Sequence, residues 1–295
     1  MKEFTLTPEQ VQKFDEDGYL IIENFLPELQ CDLLKQTIKD VIDQHLDLET
    51  HPKTMFTTYQ ANKAKPDTHM MTDYFLNSGD GINFFFEEGA FSKETNELAY
   101  SKYDAVNKIG HALHTDVPEF KEVAQGDGIK NICKALGIKK PTLPQSMYIF
   151  KSGGLGGPVT PHKDNSFLHT GGTRLLGLWI PLDDATTNNG CLWFIPGSHR
   201  EPATLFMNRN EANTACEFVG EKNANYEEDD KYVVAEVKRG SLVLLDGDVV
   251  HKSYSNTSDK PRNAFTFHLY EGEGADWGAT NWNQPTDKGT FVELY

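Results

Sequence analysis

The sequence has 295 residues, of which 38% are hydrophobic and 24% charged, as is typical of a globular protein with a sizeable core. Its formal net charge of −16 argues against extended contact with nucleic acid phosphates or anionic lipids. The longest apolar runs fall far short of the ~20 residues of a membrane-spanning helix. The sequence shows neither the apolar core of a signal peptide nor a peroxisomal C-terminal signal. We therefore expect a cytoplasmic protein without membrane or protein partners.

The first 46 residues predict a helix, a strand and a second helix. Thr7 is an N-cap residue, followed by a proline at the first helical position and a capping-box glutamine, and Gly18 ends the helix. The run Tyr19–Ile22 predicts a short strand. The second helix begins at Pro27, and its apolar residues repeat at three- and four-residue spacing. These apolar residues are Cys31, Leu34, Ile38, Val41 and Ile42.

The next hundred residues carry weaker signals. Residues 47–80 are polar and irregular, whereas the aromatic run Ile82–Phe86 predicts a strand. Residues 104–113 predict a helix, because their apolar side chains recur at helical spacing. That helix would place His111 and His114 on one face. Without a third ligand nearby, we expect these two histidines to have a surface or packing role rather than to bind metal.

After Pro144 the sequence changes to short β-branched and aromatic runs separated by turn residues. The runs are residues 146–151, 175–182, 191–195, 232–237, 241–245 and 264–270. Strands at such spacing predict a sandwich or barrel rather than alternating strands and helices. We therefore expect a mainly β protein with helical support, organised as one domain: a helix-rich N-terminal support at residues 1–143 and a β-rich core at 144–295.

The stretch of residues 206–230 is rich in asparagine and acidic residues and shows little periodicity. We predict a long loop there, a kind of segment that often covers a binding site or is disordered. Residues 227–230 are all acidic and are expected to form a solvated charged run.

The four cysteines are widely spaced and form no C-x-x-C pair, which argues against a zinc ribbon or a redox motif. We expect reduced, mostly buried thiols. The cysteines are Cys31, Cys133, Cys191 and Cys216.

The residues most informative about function are His162, Asp164 and His251. Side chains two apart on an extended strand point to the same side, so His162 and Asp164 can offer one nitrogen and one oxygen to a single ion. A distant His251 would complete a set of two histidines and one carboxylate. That set leaves one face of a metal open and is typical of non-haem Fe(II) oxygenases. The alternatives are polar residues at strand ends, or His199 in place of His251.

The surroundings of these residues resemble one family. Residues 188–199 read Asn-Asn-Gly-Cys-Leu-Trp-Phe-Ile-Pro-Gly-Ser-His, which resembles the N-G-C-L-x-x-x-P-G-S-H stretch of phytanoyl-CoA dioxygenase-like proteins. The H-x-D motif lies before this stretch and a histidine followed by an arginine lies after it, in the order of the family. The likeness extends over most of the chain, through residues 107–114, 145–151, 251–253 and 265–269.

The resemblance implies a double-stranded β-helix, or cupin-like jelly roll, that holds Fe(II) and 2-oxoglutarate and uses dioxygen, with ascorbate as a candidate reductant. His162, Asp164 and His251 match the iron ligands of the family, which would make His199 a residue that fixes a nearby loop. Arg262 matches the arginine that binds the far carboxylate of 2-oxoglutarate, a role that suits its planar fork. The positions that match the lining of the co-substrate pocket in relatives are Lys108, Met147 and Trp179.

The leading hypothesis is an Fe(II)- and 2-oxoglutarate-dependent dioxygenase that hydroxylates a small molecule and releases succinate and carbon dioxide. One alternative is a catalytically silent module that binds 2-oxoglutarate. Another is a zinc-dependent hydrolase or isomerase that uses the same three ligands. The family suggests an acyl-CoA substrate, yet the β-rich half holds no dense basic cluster for the phosphates of CoA, so the sequence does not favour that substrate.

Overall fold

The structure is a computed structural model, and it describes residues 4–56, 70, 72–221, 226 and 228–295. Its α-helices are α1 (Pro8–Asp17), α2 (Glu28–His45), α3 (Asp73–Leu76), α4 (Lys102–Ala105), α5 (Leu113–Asp116), α6 (Pro118–Ala124) and α7 (Asp127–Ala135). Its strands are β1 (Tyr19–Ile22), β2 (Ile82–Phe86), β3 (Val106–His111), β4 (Pro141–Lys151), β5 (Val159–His162), β6 (Leu175–Pro181), β7 (Leu192–Phe194), β8 (Leu205–Arg209), β9 (Cys216–Gly220), β10 (Val233–Ala235), β11 (Leu242–Asp246), β12 (His251–Ser253), β13 (Arg262–Glu271) and β14 (Val292–Glu293).

The predicted start of the chain is confirmed. The Thr7 side chain accepts a hydrogen bond from the Gln10 amide, and the Gln10 side chain accepts one from the Thr7 amide, which closes the capping box. Gly18 ends α1 in the left-handed conformation, with φ of 79°. Helix α2 follows Pro27 and buries the predicted apolar stripe.

Two antiparallel sheets of different size form the core of the fold. The larger has the order β1-β11-β6-β13-β4-β3-β2, with β14 also paired to β4, and the smaller has the order β10-β7-β12-β5. The facing sheets give the jelly roll that the sequence predicts. Three strands of the larger sheet, β1, β2 and β3, precede residue 143. The organisation into one domain with a boundary at that residue stays a prediction.

Side chains on the larger sheet alternate between two layers. On β6, Leu176, Leu178 and Ile180 pack against the helices, in the same cluster as side chains of α2, α6 and α7. The alternate residues of β6, including Gly177 and Trp179, face the smaller sheet. Because β6 is buried along its whole length, it is a wall shared by the helical layer and the cavity between the sheets.

The helix predicted over residues 104–113 is wrong. Helix α4 ends at Ala105, and the chain continues as β3, paired with β2 on one side and β4 on the other. Nearly every residue of β3 is buried, so the polar-apolar alternation that would have indicated a strand is missing. Apolar residues at positions 106, 109 and 113 then matched the helical period by coincidence.

The long loop predicted over residues 206–230 is also wrong in its first half. Strands β8 and β9 form a separate two-stranded hairpin whose register pairs Leu205 with Gly220 and Arg209 with Cys216. Residues 222–225 and 227 lie outside the described residues, as do residues 57–69 and 71 of the segment predicted to be irregular. Of the acidic run, the described residues 228–230 are exposed.

The structure also bears on the expectations for the cysteines and for membrane-spanning helices. All four cysteines are buried and unpaired, as predicted. Among the helices of the described residues, none combines the length and the apolar character that crossing a membrane requires.

Candidate active site

Three polar residues meet in the cavity between the two sheets. His162 is the last residue of β5, and Lys163 continues the extended backbone with φ of −115° and ψ of 139°, after which Asp164 begins a 3-10 turn. His251 is the first residue of β12 and pairs directly with His162 across the two strands. The extended backbone at Lys163 directs the side chains of His162 and Asp164 to the same side, although only His162 belongs to the strand.

The ligand atoms of these residues converge on one point. The Nε2 atom of His162 lies 3.6 Å from Oδ1 of Asp164, and the Nε2 atom of His251 lies 3.7 Å from the same oxygen. The three ligand atoms all lie within 4.8 Å of one another. Two imidazoles and one carboxylate so arranged can hold one metal ion and leave its other face open to the cavity.

Hydrogen bonds fix the tautomer of both histidines. Nδ1 of His162 donates to the carbonyl oxygen of Thr160 at 2.8 Å, and Nδ1 of His251 donates to the carbonyl oxygen of Val249 at 3.1 Å. A carbonyl only accepts hydrogen bonds, so Nδ1 carries the proton in each ring. The lone pair of each neutral imidazole is therefore on Nε2, the atom that faces the shared point.

The charges of the site also suit metal binding. Burial would raise the pKa of Asp164, but the imidazoles of His251, His268 and His162 that surround the carboxylate hold its pKa well below the ordinary value. Burial, with the imidazole of His162 close by, lowers the pKa of His251 to about 4. At neutral pH the site therefore holds a carboxylate and, at residue 251, a neutral imidazole, which are the forms that bind a divalent cation.

The cavity that contains these residues has a volume of about 1220 Å³. Arg262 lines it from the start of β13 and is 2% exposed. Its Nη2 donates to the carbonyl oxygen of Gly190 at 3.1 Å, while Nε and Nη1 are buried and have no hydrogen-bond partner among the described residues. Burial lowers the pKa of Arg262 to about 10, so the guanidinium stays charged at neutral pH. A buried cation with two unused donors fits a carboxylate ligand.

The other residues predicted to line the co-substrate pocket, Lys108, Met147 and Trp179, also line this cavity. The indole of Trp179 lies 5.1 Å from the Arg262 guanidinium carbon. Nζ of Lys108 lies 3.3 Å from Sδ of Met147 and 3.3 Å from the centre of the Phe56 ring. Burial lowers the pKa of Lys108 to about 7. Arg262 and Lys108 thus make the wall of the cavity favourable for an anion.

Another part of the cavity wall is apolar. The hairpin contributes Leu205, Met207 and Phe218, and the ring of Phe218 meets that of Phe167 edge-on at 5.9 Å. Phe75 and Trp282, stacked at 4.4 Å, extend this surface. We call these six residues the apolar wall. Their side chains provide few hydrogen-bond donors for a phosphate or carboxylate, and they can pack against a hydrocarbon group.

The other histidines considered as metal ligands bond to other partners, although His111 also lines the cavity. Nε2 of His199 bonds the carbonyl oxygen of Asp15 at 3.1 Å, so His199 joins its loop to the end of α1. His111 bonds Ser78, and His114 bonds the Ser146 hydroxyl and the carbonyl oxygen of Thr290. Although the helix predicted for this pair is wrong, the packing role expected for it agrees with their complete burial.

His268, for which the sequence predicts no role, lies at the site in the structure. Its Nε2 lies 3.2 Å from Oδ2 of Asp164, and its Nδ1 lies 3.1 Å from the amide nitrogen of Gln145. The signal for this contact is the strand period, which puts His268 on the same face of β13 as Thr266 and Arg262. The pairing with a residue 104 positions earlier has no sequence signature.

Comparisons with known proteins point to one family. The family model described as Phytanoyl-CoA dioxygenase (PhyH) matches residues 14–264. A zebrafish (Danio rerio) protein, phytanoyl-CoA dioxygenase domain-containing protein 1, is 44% identical over 294 residues, which cover 98% of this chain and 99% of that relative.

Two solved structures illustrate the similarity of fold. EctD from S. alaskensis, with bound Fe, has a TM-score of 0.64 and 18% identity, covering 100% of this chain and 88% of that one. The non-heme alpha ketoglutarate dependent carbocyclase SnoK has a TM-score of 0.62 and 18% identity, covering 97% and 96%. At this identity the likeness shows a shared jelly-roll fold.

Proposed function

The chain belongs to the phytanoyl-CoA dioxygenase family, and on that premise we propose that it is an Fe(II)- and 2-oxoglutarate-dependent dioxygenase that hydroxylates a small molecule. The observation that carries the proposal is the convergence of two Nε2 lone pairs and one carboxylate oxygen within 4.8 Å, in a cavity that also holds the unpaired donors of Arg262. A metal and a dianionic co-substrate explain both features together.

In this proposal His162, Asp164 and His251 hold Fe(II), and Arg262 holds the far carboxylate of 2-oxoglutarate, with Lys108, Met147 and Trp179 lining its pocket. Bound iron, 2-oxoglutarate and dioxygen supply an oxidation that yields succinate and carbon dioxide and places one oxygen atom on the substrate. Ascorbate serves as an external reductant. The chain contributes ligand geometry, a charged anchor for the co-substrate and a cavity that limits the access of water.

The substrate that fits the cavity has an apolar part at the reacting position. The apolar wall offers aromatic and aliphatic contacts, which favour a hydrocarbon surface. Among the described residues that line the cavity, Lys163 and Lys252 are buried and already engaged, by the carbonyl oxygens of Ser198 and Glu201 and by Asp229 respectively. Such cations are poor ligands for the exposed phosphates of CoA, so we do not favour an acyl-CoA substrate.

The two alternatives differ in what they require of the site. A silent 2-oxoglutarate-binding module would need the anchor Arg262 but not the three metal ligands. A zinc hydrolase or isomerase would need the ligands but not the buried guanidinium. The cavity contains both sets, which supports the dioxygenase. The cytoplasmic location expected from the sequence is a further part of the proposal, and cell fractionation tests it.

The proposal is tested by turnover without added substrate. Protein purified without oxygen is mixed with Fe(II), 2-oxoglutarate and ascorbate, exposed to air, and succinate is measured over time. We expect slow succinate release by the wild-type protein and background release by His162→Ala and Asp164→Ala. The matched control is His199→Ala, which removes a histidine outside the cavity and should retain wild-type release.

Each alternative predicts a different result. Saturable 2-oxoglutarate binding without succinate release would favour the silent module. Retention of zinc in place of iron, together with hydrolytic activity, would favour the hydrolase. Equal succinate release by the wild-type protein and both ligand variants would show that the three residues do not carry the reaction.

A further inference from the structure

Three neighbouring strands of the larger sheet place a row of residues beneath Asp164. In the register of the sheet, His268 on β13 is directly opposite Gln145 on β4 and Gly177 on β6. Asp164 reaches this row from the 3-10 turn after β5, and its Oδ2 lies 3.2 Å from Nε2 of His268. His268 and Gln145 are both buried, at 6% and 4% exposure, so their polar atoms depend on each other.

For a neutral His268 ring, the hydrogen bonds of this row define one tautomer. The carboxylate of Asp164 only accepts, so Nε2 of His268 must carry a proton. In a neutral ring Nδ1 is then an acceptor, and the atom that faces it at 3.1 Å is the amide nitrogen of Gln145, a donor. Gln145 therefore selects the tautomer of His268, and His268 donates to Oδ2 of Asp164.

Gly177, the third residue of the row, leaves room for the Asp164 carboxylate. A β-carbon at position 177 would lie 2.7 Å from Oδ2 of Asp164, which is closer than side chains approach one another. The backbone of Gly177 is in the ordinary extended strand conformation, so glycine is required here by the carboxylate and not by a turn. Gly177 thus leaves room for the Asp164 carboxylate to approach the sheet beside His268.

We propose that His268, oriented by Gln145 and given access by Gly177, is a positioning residue that reserves Oδ2 of Asp164 and leaves Oδ1 alone to bind the metal. This inference rests on the proposed function to the extent that His162, Asp164 and His251 must hold an ion. The distances divide the carboxylate accordingly: Oδ1 faces the Nε2 atoms of His162 and His251, and Oδ2 faces His268.

The separate roles of the two Asp164 oxygens matter because the metal ion has a limited number of coordination positions. A carboxylate that binds through both oxygens occupies two positions, whereas one that binds through a single oxygen occupies one. Three protein ligands leave about three positions on a six-coordinate ion, enough for 2-oxoglutarate and dioxygen together. By holding Oδ2, His268 protects the third position and also removes the rotational freedom of the Asp164 side chain.

The test is metal binding by the full-length protein without oxygen, with Co(II) as a stable probe whose visible absorption reports its coordination. We expect His268→Leu to weaken Co(II) binding about 10- to 100-fold, the range found when the hydrogen-bond partner of a ligand is removed, and to change the absorption bands. His268→Gln retains an N–H donor and should recover most of the affinity and the wild-type spectrum. Gln145→Leu should have a smaller effect in the same direction.

A second variant tests the position of the same carboxylate by a steric change. Gly177→Ala keeps every hydrogen-bonding group and should weaken Co(II) binding by displacing Asp164, so it carries the test if His268→Leu does not fold. His114→Leu is the matched control, because it removes an equally buried histidine outside the cavity and should leave the affinity unchanged.

The outcomes separate this inference from the proposed function. Wild-type affinity and an unchanged spectrum in both His268→Leu and Gly177→Ala would overturn the positioning role and leave the dioxygenase proposal intact. Failure of the wild-type protein to bind either Co(II) or Fe(II) would overturn both.

Discussion

At the scale of single residues, the same local hydrogen bond orients the two histidines of the site. Each donates its Nδ1 proton to the carbonyl oxygen two residues earlier in the chain, Thr160 for His162 and Val249 for His251. The bond needs no distant partner, because the acceptor lies two residues before the histidine in the same backbone segment. The resulting pair of Nε2 lone pairs is set before any metal arrives, which lowers the cost of organising the site.

Arg262 provides a prediction at the same scale. Arg262→Lys replaces a planar fork with a single ammonium group and loses at least one charge-assisted hydrogen bond, each contributing about 1.5–3 kcal/mol. We expect the KM for 2-oxoglutarate in succinate release to rise about 10- to 100-fold, with a smaller change in kcat. The matched control is Arg174→Lys, whose arginine pairs with Asp15 and Asp246. An unchanged KM would remove Arg262 from the co-substrate site.

The three candidate metal ligands can be predicted from the sequence, whereas the residues that support them cannot. The H-x-D spacing and a downstream histidine are visible in the chain, and the structure brings His162, Asp164 and His251 together. The contact between His268 and Gln145 joins residues 123 positions apart. It depends on the register of β4 against β13, which only the packing of the whole sheet determines.

At the scale of elements, an arginine side chain joins the hairpin of β8 and β9 to the segments that carry Phe75 and Trp282 of the apolar wall. Arg209 donates Nε to the carbonyl oxygen of Trp282 at 2.8 Å and Nη2 to that of Leu76 at 2.7 Å. The sequence could not predict this element, because the polar turn between the strands and their exposed faces conceal the short alternation of apolar residues.

This connection predicts the local stability of the hairpin. Arg209→Ala removes both bonds, so the hairpin should open more often while the two main sheets are unaffected. We expect amide hydrogen exchange in residues 205–220 to accelerate by about 10-fold or more, from the loss of about 1.5–3 kcal/mol for each bond to a charged donor. Exchange measured by mass spectrometry checks this, with Arg200→Ala as the control at an exposed arginine. Equal exchange in the two variants would contradict it.

The elements predicted from local signals were the reliable ones. Capping at Thr7 and Gly18 fixed both ends of α1, because those signals act within a few residues. Strand β3 lacks such signals. It lies between two other strands and both of its faces are covered. Its sequence therefore lacks the alternation of polar and apolar residues that would identify a strand.

At the scale of the whole molecule, buried cations link the cavity to stability. The pKa of Lys108 is about 7 in the folded protein, compared with an ordinary value of 10.5. Between these values the folded protein has released a proton that the unfolded chain retains. The free energy of unfolding therefore rises with pH across this window and falls as pH returns toward 7, by at most about 1.4 kcal/mol per pH unit for this one group.

The corresponding variant is Lys108→Met. It lacks the buried ammonium, so it should be more stable than the wild-type protein at pH 8, and its advantage should shrink as pH rises to 10. Urea unfolding at pH 8, 9 and 10, without metal or 2-oxoglutarate, measures this difference. Lys39→Met, at an exposed lysine, is the control. A stability difference that does not vary with pH would contradict the assignment.

The central claim is that one cavity binds Fe(II) and 2-oxoglutarate together, through the ligands of the metal and the guanidinium of Arg262. The most direct measurement is the visible absorption of the Fe(II)-loaded protein, without oxygen, as 2-oxoglutarate is added. We predict a saturable charge-transfer band that is absent in Asp164→Ala and needs much more 2-oxoglutarate in Arg262→Lys. A wild-type protein that binds Fe(II) but shows no new band at saturating 2-oxoglutarate would contradict the claim.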